Sequence, residues 1–93
     1  MYLNKNMTKK QLATISILVK NRQINSENLN KLLSLNGHII MNRLGINVEP
    51  MCVSNCFGLI VLVLKANPGQ IKKFEIELKK IKSLTIKISI MSK

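Results

Sequence analysis

A chain of 93 residues has room for one domain, and a single core of that size is thermodynamically marginal without help. Two cysteines in no disulfide-dense pattern exclude a stapled secreted scaffold, and the stretch from Met1 to Met7 lacks the apolar run of a signal peptide, so the cytoplasm is the default location. The net charge of +11 invites an anionic partner, but lysine outnumbers arginine 13 to 2, and A/T-rich codons supply Lys, Asn and Ile. Arginine, the bidentate reader of phosphate and guanine, is nearly absent, so the charge promises at most sequence-independent, salt-sensitive attraction to nucleic acid.

Residues 1–11 read as a polar, lysine-bearing, flexible lead-in, and residues 12–93 as a single domain. The first strand runs from Leu12 to Val19, with Ala13, Ile15, Ile17 and Val19 on one face and Thr14 and Ser16 on the other. A helix follows: Asn25 or Ser26 offers an N-cap, Glu27 sits where the helix dipole favours an acid, and Leu29, Leu32 and Leu33 recur at helical spacing. Gly37 supplies a left-handed residue to stop it.

The second strand reads His38 to Ile46, with Ile40, Leu44 and Ile46 on one face and Ile39, Met41 and Arg43 on the other. A loop from Asn47 to Asn55, carrying Pro50, leads into the most uniformly apolar stretch of the chain, Phe57 to Leu64. That run is too short to cross a bilayer, which takes roughly 20 apolar residues as a helix, and its β-branched content favours a strand. Phe57, Leu59, Val61 and Val63 share one of its faces, and Gly58, Ile60, Leu62 and Leu64 the other. The short connection makes the second and third strands an antiparallel pair.

Asn67-Pro68-Gly69-Gln70 predicts a helix start, with Asn67 as cap, Pro68 in the first position and Gln70 closing a capping box. Ile71, Phe74, Leu78 and Ile81 form its buried stripe, Ile76 falls on the outer side, and Glu75 supports Lys79 one turn on. In the last strand Leu84, Ile86, Ile88 and Ile90 alternate with Thr85, Lys87 and Ser89. The order β-α-β-β-α-β predicts an α+β, ferredoxin-like sandwich: a four-stranded antiparallel sheet with two helices on one face, since right-handed crossovers place both on the same side.

The helices shelter one face only. On the first and last strands the other face is polar enough to be wet (Thr14, Ser16, Thr85, Lys87, Ser89), but on the two strands between them in sequence it is apolar whichever way the central apolar strand is turned. Ile39 and Met41, or else Ile40 and Leu44, would enlarge that patch beyond what soluble monomers usually show. At roughly 25 cal/mol per Å², burying a few such side chains contributes several kcal/mol per protomer, comparable with a small domain's own stability. The expectation is a two-fold homodimer or, by a second interface, a tetramer.

Chemistry-bearing residues are sparse. Cys52 and Cys56, with three residues between them, read as half a metal site, as a redox pair, or as two unconnected thiols; His38 alone could add a third metal ligand. His38 reads more simply as a cap or surface residue. Glu27, Glu49, Glu75 and Glu77 are scattered with no acid/base pair, and there is no Ser/His/Asp order or phosphate-cradling glycine loop. No enzyme activity and no cofactor is expected. The aromatics are Tyr2, Phe57 and Phe74, a poor stacking platform for RNA.

Two stretches carry a family resemblance. Ile40-Met41-Asn42-Arg43-Leu44-Gly45-Ile46 resembles the Arg-hydrophobic-Gly-Ile signature of the small iron-only hydrogenase system regulators, and Leu78-Lys79-Lys80-Ile81-Lys82-Ser83-Leu84-Thr85-Ile86-Lys87 is similar to that family's closing helix-turn-strand. The likeness covers Ala13 to Met91; Asn47 stands where the family tends to have proline, and the loop after it is longer. The family is similar in fold to ACT domains and to the C-terminal half of the nickel-responsive repressor. The resemblance implies a ferredoxin-like dimer or tetramer with a regulatory role. The 11 residues before the first strand are too few for a DNA-reading module, and the repressors' histidine set has no counterpart beyond His38. Regulation would then run through a protein partner or a small effector between subunits, as ACT-type domains bind amino acids, with Arg43, Gly45 and Ile46 as the ligand-binding candidates. The simpler reading of Gly45 is a bulge or strand end. The alternative function is a basic nucleic-acid-binding module on the same fold.

Overall fold

The computed structural model describes residues 9–47 and 56–91, with backbone alone at 22–24 and 47. The order is β1 (Gln11–Val19), α1 (Arg22–Leu35), β2 (Ile40–Asn47), β3 (Gly58–Ala66), α2 (Pro68–Lys79) and β4 (Leu84–Ile90). The four strands form one antiparallel-paired sheet in the order β2-β3-β1-β4, with β1 against β3 and β4, and β3 against β2. This is the ferredoxin-like βαββαβ arrangement anticipated from the pattern. Among the described residues no helix is long and apolar enough to cross a membrane.

The alternation in β1 puts Ala13, Ile15, Ile17 and Val19 in the core. Opposite them in register stand Leu64, Leu62, Ile60 and Gly58 of β3 and Ile90, Ile88, Ile86 and Leu84 of β4, so this is the face the helices cover. Leu29 and Leu33 descend from α1, and Ile71, Phe74 and Leu78 from α2. Ile76, on the outer side of α2, is exposed as its spacing required.

Helix α2 starts as its sequence dictates. The Asn67 side chain accepts from the Gln70 backbone N–H at 2.8 Å, and the Gln70 carboxamide oxygen accepts from the Asn67 N–H at 3.0 Å. Helix α1 departs from expectation at both ends. It begins at Arg22, behind an Asn21 cap in the left-handed region (φ 54°), a full turn before the anticipated cap; asparagine tolerates that conformation, and the Asn25 amide secures the turn by donating to the Lys20 carbonyl at 2.9 Å. Glu27 therefore lies outside the first turn. At the other end Gly37 has no positive φ; the helix stops at Leu35, where the backbone N–H of Asn36 bonds the Leu32 and Leu33 carbonyls, and its amide adds a bond to Leu32.

The second strand also needs correction. It opens at Ile40 rather than His38, and Ile39 is buried in the core just ahead of it. A bulge at Met41 breaks the register between Ile40, opposite Leu64, and Asn42, opposite Val63. One extra residue inverts the alternation. Ile40 thus faces the helices, whereas Leu44 and Ile46 face away, opposite Val61 and Leu59; the three do not share a face. The Asn42 carboxamide accepts the Arg43 N–H at 2.8 Å beside the bulge. The third strand runs two residues past the expected Leu64. The expectations for residues 48–55 and for the first eight residues lie outside the described part of the chain.

Candidate functional site

The bulge sets which side chains the edge strand β2 sends to each side. Beyond it, Arg43 and Gly45 stand on the helix side, opposite Leu62 and Ile60, while Leu44 and Ile46 stand on the open side. Two surfaces result, one on each face of the same strand.

On the helix side a cleft of about 350 Å³ opens between β2 and the first half of α1. Gly45 and Gly58 line it, and a Cβ at Gly45 would meet no atom within 4 Å, so the space above this glycine is empty. No bulge falls at Gly45, and its φ is not positive; neither backbone geometry nor crowding demands a glycine there. Val19, Leu29 and Ile60 give the cleft an aliphatic lining. The polar groups come from two elements: Arg43 from the strand, and Ser26 and Asn30, one turn apart, from the helix. The Arg43 guanidinium donates from Nη2 to the Asn30 carboxamide oxygen at 3.0 Å, which ties it to the helical wall of the cleft.

The three residues singled out from the sequence, Arg43, Gly45 and Ile46, all border this cleft. Asn30 was not singled out, and Ser26 was read only as a possible N-cap. Their sequence signal for the cleft is helical spacing on a polar face, and it takes the crossover of α1 over β2 to bring them into place. Arg43 is the one ionisable side chain among the described lining residues, and no nucleophile is paired with a base. The arrangement can bind a small molecule carrying an acidic group and an apolar portion.

On the open side, residues stack in rows across the sheet. Leu44, Val61, Ser16 and Lys87 form one row; Ile46, Leu59, Leu18 and Thr85 the next. The β2–β3 half of this face is therefore apolar across these two rows, with Asn42 beside Val63 in the row that follows, and the β1–β4 half is mostly polar. Leu44 is 58% exposed, Ile46 45% and Val63 36%.

The two described metal candidates do not converge. His38 is exposed at the turn before β2, whereas Cys56 precedes β3 at the opposite end of the hairpin, since Ile40 pairs with Leu64 and Asn47 with Gly58. A strand of that length separates them by roughly 20 Å, at about 3.3 Å per residue. Cys56 is buried and disulfide-bonded, so the reading as an unconnected thiol does not hold for it, and in that state its sulfur offers no thiolate to a metal. Cys52 lies outside the described residues. No group of three or more His, Cys, Asp or Glu suited to a metal occurs among the described residues.

The family model for TM1266-like proteins, described as "Iron-only hydrogenase system regulator, putative", matches residues 11–88. The chain belongs to that family. Among solved structures, the uncharacterized protein TM1266 of Thermotoga maritima superposes with a TM-score of 0.80 at 24% identity, covering 90% of this chain and all of that one. A de novo designed protein, Foldit4, gives a TM-score of 0.53 at 13% identity over 91% of this chain and 99% of its own. At these identities both likenesses speak to fold alone. A comparison with curated proteins found no match. The TM1266-like span takes in β1 through most of β4, and with them every described residue named above for the cleft and for the exposed sheet rows.

Proposed function

We propose that this chain is a regulator without chemistry of its own, joined to a second copy through its open sheet face and taking a small acidic effector in the cleft between β2 and α1. The observation that carries this reading is the alternation along β2 after the bulge. Arg43 and Gly45 stand on the cleft side, and Leu44 and Ile46, their immediate neighbours, on the exposed apolar face, with Ile46 also at the cleft's border. A ligand gripped by the one pair shifts the strand that carries the other, so occupancy and assembly share a mechanical element.

Leu44, Ile46, Leu59, Val61 and Val63 make an apolar surface on one half of the face, bordered by Asn42, with Leu18, Lys87 and the Thr and Ser side chains on the other half. Two copies related by a two-fold axis can bury the first half against itself and leave the second half at the rim. A dimer of dimers would need a further surface.

Sedimentation equilibrium at about 10 µM tests the assembly, with a mass of twice 10.5 kDa expected and a stable protomer mass overturning it. Thermal-shift measurements with a panel of amino acids and small carboxylates test the effector. The competing reading, a nucleic-acid-binding sheet, has the +11 charge in its favour. Against it, the paired rows on that face hold no aromatic side chain, which leaves Phe57, half-buried just ahead of β3, as a lone stacking surface for a base.

A further inference from the structure

The molecule has a third surface, on the side away from the open sheet face. Strands β1 and β2 run parallel, as do β3 and β4, so α1 and α2 return antiparallel to one another across the sheet. The start of α1 thus meets the end of α2, where the Lys20 N–H bonds the Ser83 carbonyl at 3.1 Å. Between the helices lies a valley in two connected parts, about 460 Å³ from Asn25 to Lys82 and about 290 Å³ from Leu35 to Lys73, which share Leu35 and Glu77. From Asn25 to Leu35 the valley follows three turns of α1, about 15 Å at 1.5 Å per residue.

We propose that this valley is a docking groove for an acidic, amphipathic segment of a partner protein. Its apolar elements are Leu32, Leu35 and Ile81, and Leu35 is 71% exposed although it borders both parts of the valley. Lys31, Lys80 and Lys82 flank the larger part and Lys73 the smaller, against the single acid Glu77. Four cations around an aliphatic strip call for a ligand with carboxylates on its edges and Leu- or Ile-like side chains along its centre. An amphipathic helix of about three turns meets that description. Single-stranded nucleic acid satisfies the charge and fails the strip: the nearby aromatic, Phe74, is fully buried, and no arginine lines the valley. The groove faces away from the sheet's open side, so a dimer and a docked segment can coexist.

The experiment is to pan a displayed library of random dodecapeptides against the purified full chain, then measure the winners by fluorescence anisotropy at 150 mM salt. Winners rich in Glu or Asp, with Leu, Ile or Phe at three- and four-residue spacing, are expected. Their affinity should fall at least tenfold on Leu35→Glu and comparably on the double change Lys80→Glu, Lys82→Glu, and should not move on Leu44→Lys. Leu35 is exposed enough for the variant to fold, which circular dichroism checks; should it unfold, Lys31→Glu takes its place with the same expected loss. No binders, binders of another composition, or binders indifferent to these changes would overturn the proposal. So would a dT12 oligonucleotide that competes with the peptides at the same salt.

Discussion

Arg43 on β2 donates through Nη2 to the carboxamide oxygen of Asn30 on α1 at 3.0 Å, the one side-chain hydrogen bond described between the edge strand and the helix beside it. The bond is exposed, so its net contribution to stability is small, about 0–1 kcal/mol. Its consequence is orientation: the guanidinium is held to Asn30, on the helical wall of the cleft. Arg43→Lys keeps the charge and loses the planar fork. Stability should stay within about 0.5 kcal/mol by urea unfolding, while the thermal shift given by a binding carboxylate drops at least tenfold in apparent affinity. Equal affinity in the variant would remove Arg43 from the site.

Gly45→Ala separates ligand space from structural need. The added methyl meets nothing within 4 Å, and the backbone there is not left-handed. Replacing glycine at such a position typically stabilises by about 0.4–1 kcal/mol, through a less disordered unfolded chain. The unfolding midpoint should therefore hold or rise while ligand binding weakens, because the methyl projects into the cleft. A fall in stability would mean that the residue is a structural glycine after all.

Leu44→Lys places a charge in the middle of the exposed apolar rows, beside Val61. In the isolated protomer this side chain is already more than half in water, so the fold should survive. In a two-fold contact the lysines of both copies would be buried near each other, at a cost of several kcal/mol. Sedimentation equilibrium is expected to give the protomer mass for the variant and twice that mass for the parent.

Within α2, Phe74 and Ile76 are two residues apart and opposite in role. Phe74 is fully buried in the core between the helices and the sheet, and Ile76 is 49% exposed. Phe74→Ala should cost about 3–5 kcal/mol, enough to unfold much of a domain this small, whereas Ile76→Ala should change stability by about 0.5 kcal/mol or less. Urea titrations of both variants decide it; similar losses would mean that the stripe of α2 is misassigned.

The parts of this fold that local chemistry specifies were readable from residues alone. The capping box at Asn67 and Gln70 lies within four residues, and the alternation of β1 and β4 needs no partner to be seen. What escaped depends on partners distant in sequence. The Met41 bulge leaves no local mark, since the apolar residues on either side look like one continued alternation until β3 fixes the register. Asn21 hides the start of α1, because an asparagine in the left-handed region looks in sequence like any turn residue. Arg43 and Gly45 were found through a family signature, while Ser26 and Asn30 became visible only once the helix crossed the strand.

Glu75 gives the pH prediction. Its carboxylate is 2.9 Å from the Lys79 ammonium one turn on, and the Lys72 ammonium lies 3.5 Å away. The hydrogen bond from Lys79 is the main influence and holds the carboxyl below its ordinary 4.5; desolvation opposes it, and Lys72 adds to it. A carboxyl with a depressed pKa in the folded state binds fewer protons there than in the unfolded chain. Its stabilising contribution is complete above the unfolded value and is lost as pH falls through the folded one. Glu75→Gln should therefore melt below the parent at pH 7, with the difference closing as the pH drops from about 4.5 towards 3. Added salt should narrow the difference at pH 7 as well, because the pair is partly exposed. Circular dichroism melts of both proteins at about pH 7 and pH 3 provide the check. A difference that persists undiminished in acid would assign the effect to packing of the side chain and leave its charge without a role.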